Sequence, residues 1–355
     1  MPTPETTLAE LRERIRAAAA AGGALRLRGA GTKDFLGEEL SGELLELGAH
    51  AGLVHYAPSE LVITARCGTP LSSIERTLAG EGQFLACEPP RFGADPTIGG
   101  VVAAGLAGPR RMYAGAVRDF VLGARLLDAG GEELRFGGEV MKNVAGFDLA
   151  RLLCGSFGIL GVITEVSLKV LPLPRAEATV RLELAAVEAV TTFNRLAGEP
   201  LPLSGAAWLD GAAWVRLSGA EPAVSAARAR IGGERVDEEP ARAFWNGLRD
   251  LRLPFFDATP LWRAAVPPTA APLELEGSPL IDAGGGVRWY AGLPPGADVR
   301  TAAVARGGTA QCWRGACAGP RFHPLPRVTA ELHRRLKERL DPQRLFNRGR
   351  LLRAL

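Results

Sequence analysis

The sequence predicts an α+β protein with a two-part N-terminal region, an antiparallel α+β cap domain, and a C-terminal helix and tail. Helix-like and strand-like segments alternate with short turns as far as residue 171, which is typical of a mixed α/β layer. The second half instead carries hairpin patterns, of which Asp210-Gly211 between two apolar runs is the strongest. Pro172 and Pro174 end the last N-terminal strand pattern, so we expect the main domain boundary there.

The N-terminal region begins with a predicted helix over residues 6–21. Leu8, Leu11 and Ile15 form one apolar face of this helix, and Gly22-Gly23 ends it. The elements expected after it are strands over 24–28, 44–47, 52–56 and 61–67, a helix over 71–79, a hairpin over 122–128 and 133–136, and a strand over 163–171.

The cap region is predicted from a different mixture of patterns. It contains hairpins over 206–217 and 280–290, helices over 221–231, 240–251 and 299–305, and a strand over 309–313. An amphipathic helix over 328–340 and a turn-rich tail follow. The predicted domains are 1–174, with subdomains of about 1–50 and 51–174, then 175–325 and 326–355.

Composition excludes several classes of protein. The chain has 355 residues, 47% of them hydrophobic, and 42 basic residues against 39 acidic ones, a near-neutral balance that argues against nucleic-acid binding. No run of apolar residues is long enough for a membrane span, and the N-terminus does not resemble a signal peptide, so a cytoplasmic location is expected. The scattered cysteines indicate reduced thiols, and for Cys312 and Cys317 two ordinary thiols are favoured over half of a metal site.

Glycine-rich clusters between residues 29 and 164 carry the functional signal. Glycine brings backbone N–H groups close to a ligand, and consecutive exposed N–H groups form an anion site. The cluster at Gly29-Ala30-Gly31 lacks the third glycine of a dinucleotide-binding turn, because Asp34 occupies that position, and no phosphate-binding lysine loop is present. These features favour a large phosphate-bearing cofactor over a nicotinamide cofactor.

Four motifs, in order and with matching spacing, resemble the PCMH-type (vanillyl-alcohol-oxidase-type) FAD-binding oxidoreductase family over nearly the whole chain. They are residues 28–32, 95–100, 155–164 and 341–349, the last with Arg348 in place of a proline. The resemblance implies that FAD contacts are made by Arg28, Gly29, Ala30, Gly31, Thr32, Lys33, Pro89, Pro96, Thr97, Ile98, Gly99, Gly100, Asp119, Asn143, Gly146, Gly155, Gly158, Gly161, Val162, Ile163 and Asn347.

Residues 110–119 and 142–148 narrow the resemblance to the family of glycolate oxidase E subunits. It implies partnership with a D-type flavoprotein subunit and an F-type iron–sulfur subunit. It also implies oxidation of glycolate, and of D-lactate, to the 2-oxo acid, with contact to the inner face of the membrane through the complex. Thr32 stands where the family often has a flavin-linked histidine, so non-covalent FAD is expected. The cap lacks histidine before His323, so no metal is expected.

The catalytic residues stay open at this point, with Arg110, Lys142 and His323 as candidates. Arg110, Arg111 and Arg118 could attract a carboxylate or else pair with protein acids. Lys142 and Asn143 could lie beside the flavin or in a solvated turn, and Asn347 could touch the flavin or form a local turn. His323 could act as a base, but its proline neighbours favour a structural loop.

Three functions fit these patterns. The first is an electron-transferring FAD subunit of a glycolate oxidase complex. The second is a mainly structural FAD-binding subunit of the same complex. The third is a stand-alone FAD-dependent 2-hydroxy-acid dehydrogenase, which the scarcity of histidine in the cap disfavours.

Overall fold

A computed structural model describes residues 4–93, 95–139 and 148–355. The chain divides into two compact units. The first unit comprises the described residues of Met1–Leu106, Ala116–Pro172 and Pro324–Leu355, and the second comprises Ala107–Gly115 and Leu173–His323. The domain limits at 174 and 325 stay predictions.

The helices and strands are numbered in chain order. The α-helices are α1 (Pro4–Ala20), α2 (Leu71–Gly80), α3 (Ile98–Ala104), α4 (Arg111–Ala114), α5 (Val117–Phe120), α6 (Leu149–Leu152), α7 (Ala186–Ala197), α8 (Glu221–Ile231), α9 (Glu238–Arg249), α10 (Val299–Val304) and α11 (Arg327–Leu340). The strands are β1 (Leu25–Arg28), β2 (Glu43–Glu46), β3 (Leu53–Ala57), β4 (Val62–Arg66), β5 (Gln83–Phe84), β6 (Val121–Leu127), β7 (Glu133–Gly137), β8 (Val162–Lys169), β9 (Leu171–Pro172), β10 (Ala176–Glu183), β11 (Leu203–Leu209), β12 (Ala212–Gly219), β13 (Glu234–Val236), β14 (Leu261–Ala265), β15 (Leu280–Asp282), β16 (Val287–Ala291) and β17 (Thr309–Arg314).

The first unit is built on an antiparallel sheet of strand order β3-β4-β8-β6-β7, with β1 and β2 forming a separate parallel pair. Leu11 and Ile15 of α1 pack with Leu25 of β1 in a core that also buries Leu345 and Phe346 of the C-terminal tail. The tail therefore contributes side chains to the core of the first unit, although its sequence reads as a run of turns. These apolar contacts hold β1, which leads directly into the glycine-containing loop at residues 29–32.

The second unit is built on a long antiparallel sheet, whose described strands run in the order β13-β10-β12-β11-β15-β16-β14-β17. Phe193 and Leu196 of α7 pack on one face, against Val180 and Trp208. Further along, Val299 and Ala303 of α10 pack against Trp262, Tyr290 and Ala310. The remaining side chains of β14 and β16 consequently point to the opposite face of the sheet.

The sequence interpretation placed no element between residues 175 and 205, where the structure has β10 and α7. It was also wrong about one cysteine pair. Cys312 and Cys317, expected as thiols, form a disulfide, because the turn after β17 brings their Cα atoms to 6.5 Å. Cys67 and Cys87 are buried free thiols, and burial raises the pKa of both.

Among the described residues, no helix combines the length and the apolar character needed to cross a membrane. Nor does the described part of the chain bring together three or more His, Cys, Asp or Glu side chains in a group that could hold a metal ion.

Candidate functional site

The first glycine loop, residues 29–32, leaves its backbone donors unused. It follows β1, which is held on one side by β2 and on the other by the tail, where the Leu25 N–H donates to the Leu345 carbonyl at 2.7 Å. Gly31 has a φ of +73°, a left-handed conformation that glycine adopts without strain. Among the residues the structure describes, no hydrogen bond takes up the N–H of Gly29, Ala30, Gly31 or Thr32.

The second loop, residues 96–100, divides its donors between protein and open space. The Ile98 N–H donates to the Thr69 carbonyl at 2.9 Å, and the Gly99 N–H to the Cys67 carbonyl at 2.8 Å. Pro96 has no N–H to offer. Within the described ranges, the N–H groups of Thr97 and Gly100 have no hydrogen-bond acceptor. The donors left for a ligand are therefore those of Thr97 and Gly100, and not those of Ile98 and Gly99.

The two loops touch each other. A Cβ atom added to Gly29 would lie 2.1 Å from Oγ1 and 3.2 Å from Cβ of Thr97, so only glycine permits this approach. We call the six backbone N–H groups of Gly29, Ala30, Gly31, Thr32, Thr97 and Gly100 the amide cradle. All of them belong to the first unit.

The amide cradle fits the diphosphate of a dinucleotide. Thr97 is buried and most of the other cradle residues are half-buried, so these donors are partly shielded from water, and a shielded N–H that lacks an acceptor costs free energy. Several of them converging from adjacent loops form a concave anion site. The cradle itself presents no carboxylate. Diphosphate oxygens combine negative charge with several acceptors, which is the chemistry that a set of free backbone N–H groups favours.

The third glycine segment, residues 155–164, uses its donors inside the protein. The N–H of Gly155 donates to the Val102 carbonyl at 3.2 Å, that of Phe157 to the Ala103 carbonyl at 2.8 Å, and that of Gly158 to the Ser156 hydroxyl at 3.3 Å. Val162 and Ile163 are buried in β8. This segment therefore anchors α3 and the second loop, and its predicted cofactor contacts, which include Gly161, stay predictions.

Asn347 joins three parts of the first unit. Its Oδ1 accepts the Leu27 N–H at 2.8 Å, its Nδ2 donates to the Phe157 carbonyl at 2.6 Å, and its own N–H donates to the Leu25 carbonyl at 2.9 Å. Asparagine tolerates the positive φ of 40° at this position better than most residues do. Asn347 thus fixes β1 against the third glycine segment. The predicted flavin contact of its side chain stays a prediction.

A buried ion pair holds the tail in place. The Lys337 ammonium donates to the Asp341 carboxylate at 2.6 Å and to the carbonyls of Ile159 and Phe346 at 2.6 and 2.9 Å. Asp341 also accepts the N–H groups of Leu345 and Phe346, both at 2.9 Å. Burial lowers the pKa of Lys337, although Asp341 opposes that shift. The pair ties α11 to the third glycine segment.

Arg350 supports the stretch that follows the first loop. Its guanidinium donates to the carbonyls of Lys33 and Asp34 at 2.9 and 3.1 Å, and burial lowers its pKa. Arg28 pairs with Asp34 at 2.9 Å across the same loop. Sequence reasoning missed Lys337 and Arg350. The available signal was the tail motif itself, since Asp341 and Asn347 belong to it.

Other predicted residues have defined surroundings. Arg110 is buried in the second unit and pairs with Glu177 at 2.7 Å. Asp119 accepts the Ala116 N–H at 2.8 Å as part of a helix cap and lies 4.0 Å from the Arg118 side chain. Pro89 is buried, and Lys33 lies over the Phe92 ring. Lys142, Asn143 and Gly146 lie outside the described residues.

His323 supports a strand. Its Nδ1 accepts the Ala310 N–H at 3.3 Å, and burial, together with the nearby charge of Arg300, lowers its pKa. Because Nδ1 accepts this backbone hydrogen bond, its lone pair is already used and the imidazole ring is neutral. This arrangement suits the structural alternative better than the role of a base, which the sequence had left open.

Comparisons with known proteins agree with this geometry. The family described as FAD binding domain matches residues 4–137. Glycolate oxidase subunit GlcE of Escherichia coli (strain K12) is 47% identical over 328 residues, which are 92% of each chain. Glycolate oxidase subunit GlcD of Bacillus subtilis (strain 168) is 35% identical over 119 residues, which are 34% of this chain and 25% of that protein.

A structure of alkyldihydroxyacetonephosphate synthase superposes with a TM-score of 0.66 at 15% identity, over 96% of this chain and 74% of that one. At this identity the likeness concerns the fold alone. With the FAD binding domain match, it confirms the predicted PCMH-type fold followed by an α+β cap. FAD is the cofactor that this fold and these relatives indicate. The chain therefore belongs to the family of glycolate oxidase subunit GlcE and is an FAD-dependent oxidoreductase.

Proposed function

We propose that this chain is the FAD-binding subunit of a glycolate oxidase (glycolate dehydrogenase) complex. The observation that carries the proposal is the 47% identity to the Escherichia coli subunit over 92% of both chains. The reaction removes a hydride from C2 of glycolate and a proton from its hydroxyl group, and leaves glyoxylate. D-Lactate would give pyruvate in the same way, and similarity over 135 residues to a D-lactate dehydrogenase of Anaerostipes hadrus supports that second substrate.

The complex would contain a D-type flavoprotein subunit and an F-type iron–sulfur subunit, which receives the electrons. Support for the D-type partner is a stretch of 119 residues that is 35% identical to the Bacillus subtilis D subunit. We place the assembly in the cytoplasm, at the inner face of the membrane.

FAD would be held without a covalent bond. Thr32 occupies the position where related proteins often carry a flavin-linked histidine, and it belongs to the amide cradle instead. Bound FAD supplies the hydride acceptor. The residues of this chain would bind its diphosphate through backbone N–H groups, while the Lys337–Asp341 pair and Asn347 hold the loops in position.

The test is anaerobic reduction. The purified chain, reconstituted with FAD, is mixed with glycolate in the absence of oxygen, alone and together with its D-type and F-type partners, while the flavin absorbance is followed. We expect the flavin of this chain to bleach in at least one of these states, so that the complex loses more flavin absorbance than one assembled with this chain free of FAD. A flavin that stays oxidised in both states would remove the redox role and favour a structural FAD subunit.

A matched pair of glycine variants tests the cofactor site separately. Gly29→Ala places a methyl group against Thr97 and should weaken FAD binding at least about tenfold, since each charge-assisted hydrogen bond is worth about 1.5–3 kcal/mol. Gly48→Ala is the control, because a Cβ there meets nothing within 4 Å. Equal FAD affinities in the two variants would contradict the assignment of the amide cradle.

A further inference from the structure

The feature that the proposed function does not explain is Arg263, on β14 of the second unit. In the sheet register, Arg263 stands between Trp289 of β16 and Gln311 of β17. Its neighbours in sequence, Trp262 and Ala264, belong to the core that α10 covers. Because side chains alternate along a strand, Arg263 lies on the opposite face. The Arg263 guanidinium thus lies outside the core that α10 covers, but it is still half-buried.

Arg263 has a ring beneath it and, among the described residues, no acid within ion-pair distance. Its guanidinium lies 5.7 Å from the centre of the Trp289 ring. Throughout the part of the chain that the structure describes, it makes no hydrogen bond and no ion pair. The indole Nε1 of Trp289 is a buried donor that lacks an acceptor among the described residues. Two positions that are adjacent in the sheet register therefore carry donors for which the described part of the chain supplies no acceptor.

The charges around Arg263 make this place electropositive. Burial, together with the charge of Arg111 and against the opposing charge of Asp282, lowers the pKa of Arg263 to about 10. Arg111 is exposed on α4, which belongs to the same unit, and among the described residues it pairs with no acid. A partly desolvated cation that has a second cation nearby is destabilised until an anion binds.

We propose that Arg263, together with the Trp289 indole and Arg111, forms a binding site for the carboxylate of a small organic acid. The planar guanidinium donates two parallel hydrogen bonds that match a carboxylate, which lysine cannot do. The ligand class, a 2-hydroxy or 2-oxo monocarboxylate, rests on the proposed function. The electropositive site itself rests only on residues of the second unit.

Arg263 differs in this respect from three other arginines of the second unit. Arg110 pairs with Glu177, and the Nη2 of Arg216 donates to the Ser204 carbonyl at 3.0 Å while its guanidinium stacks on Trp245. Arg288 donates to the Ala271 carbonyl at 2.6 Å. These side chains have protein acceptors and therefore stabilise the fold, whereas Arg263 has no acceptor among the described residues.

The test uses oxalate, which has no C–H bond to oxidise, so that binding is measured apart from turnover. Isothermal titration of the full chain loaded with FAD should detect oxalate binding that weakens at least tenfold in Arg263→Met and less in Arg263→Lys. Arg242→Met is the control, because Arg242 is an exposed arginine of the same unit, paired with Glu238 at 3.5 Å. It should bind oxalate like the wild type.

Two further readouts separate a ligand site from a structural role. Asp282→Asn removes a nearby negative charge and keeps an acceptor for the Ala283 N–H, so oxalate binding should tighten several-fold. Arg263→Met should unfold in the absence of oxalate at the same temperature as the wild type or at a higher one, because an unpaired cation is removed.

Unchanged oxalate affinity in Arg263→Met would overturn the proposal, as would a wild-type chain that does not bind oxalate. If Arg263→Met does not fold, the oxalate affinities of Arg111→Met and Asp282→Asn test the proposal instead. Wild-type affinity in both of these variants would also overturn the proposal. The proposed function can fail while this site stands: oxalate would bind through Arg263, but glycolate would never reduce the flavin. The two failures are therefore distinguishable.

Discussion

Two cations, the buried Lys337 of the first unit and the half-buried Arg263 of the second, have opposite surroundings. Lys337 of the first unit contacts a carboxylate and two carbonyls, and its partner Asp341 accepts two further backbone N–H groups. Arg263 of the second unit lies over an indole ring and, among the described residues, has no acceptor. Both have a pKa lowered by burial.

The difference distinguishes a charge that stabilises the fold from a charge that is left to bind a ligand. A buried charge whose hydrogen bonds are satisfied by protein specifies one arrangement of the chain, and removing one partner leaves the other uncompensated. A partly buried charge without protein acceptors costs stability and is retained where a ligand completes it. The first unit thus uses its buried charge to hold the tail against the cofactor loops, and the second unit keeps a half-buried charge available for a ligand.

The largest expected effect follows from breaking the satisfied pair. Lys337→Met leaves the Asp341 carboxylate buried without its cation and should lower the free energy of unfolding by about 3–5 kcal/mol. Urea unfolding followed by circular dichroism measures this loss. Lys337→Met combined with Asp341→Leu should recover part of it, because no uncompensated charge remains.

Arg339→Met is the matched control for this prediction, since Arg339 is an exposed cation on the same helix. It should change the unfolding free energy by less than about 0.5 kcal/mol. Equal stability of the Lys337 and Arg339 variants would mean that the buried pair does not hold the tail.

The next effect concerns the junction of the tail with the cofactor loops. Asn347→Ala leaves the Leu27 N–H and the Phe157 carbonyl without their partners and should cost about 2–3 kcal/mol of unfolding free energy, because each unsatisfied buried group costs about 1–3 kcal/mol. FAD should also bind more weakly, which equilibrium dialysis measures. Gln343→Ala, at an exposed position of the same tail, should change neither quantity.

A third prediction separates the arginines of the second unit. Arg110→Met breaks the pair with Glu177 and should lower the unfolding free energy by about 1–3 kcal/mol while oxalate affinity stays unchanged. Arg263→Met should show the reverse pattern in the same two assays. Loss of oxalate binding in Arg110→Met with unaltered stability would place the anion site at Arg110 instead.

The smallest expected effect is a pH dependence. The pKa of His323 in the folded chain lies below 6.5, the ordinary value that applies to the unfolded chain. At a pH between the two pKa values, the unfolded chain therefore binds more protons than the folded chain. Stability should therefore fall as pH drops below about 6.5, by less than about 1 kcal/mol given the solvent exposure of the ring. Unfolding measured at pH 7 and at pH 5 should show a smaller drop in His323→Gln than in the wild type. An identical drop in both would exclude this contribution.

Local signals were enough to predict much of the fold. The periodicity that predicted a helix over 221–231 matches α8, and Asp210-Gly211 does connect the antiparallel strands β11 and β12. Glycine density likewise placed the loops at 29–32 and 97–100. These are features that neighbouring residues determine among themselves.

Features that depend on distant residues were missed. Whether a loop N–H is free depends on acceptors elsewhere in the chain, so the sequence could not separate Gly100 from Gly99, whose N–H donates to the Cys67 carbonyl. Lys337 reads as one of several charges on an amphipathic helix, and its burial arises only when the tail folds back. Arg263 lies in a segment for which no strand was predicted, and its lack of an acceptor results from the sheet register.

The central claim is that the N–H groups of the amide cradle recognise a diphosphate. The measurement that tests it most directly compares the dissociation constants of FAD and riboflavin for the wild-type chain, because the two share the isoalloxazine ring and differ in the diphosphate and adenosine. We expect FAD to bind at least about 100-fold more tightly, since two charge-assisted hydrogen bonds already supply about 3 kcal/mol, and we expect Gly29→Ala to narrow that ratio. Equal affinities for FAD and riboflavin would contradict the account.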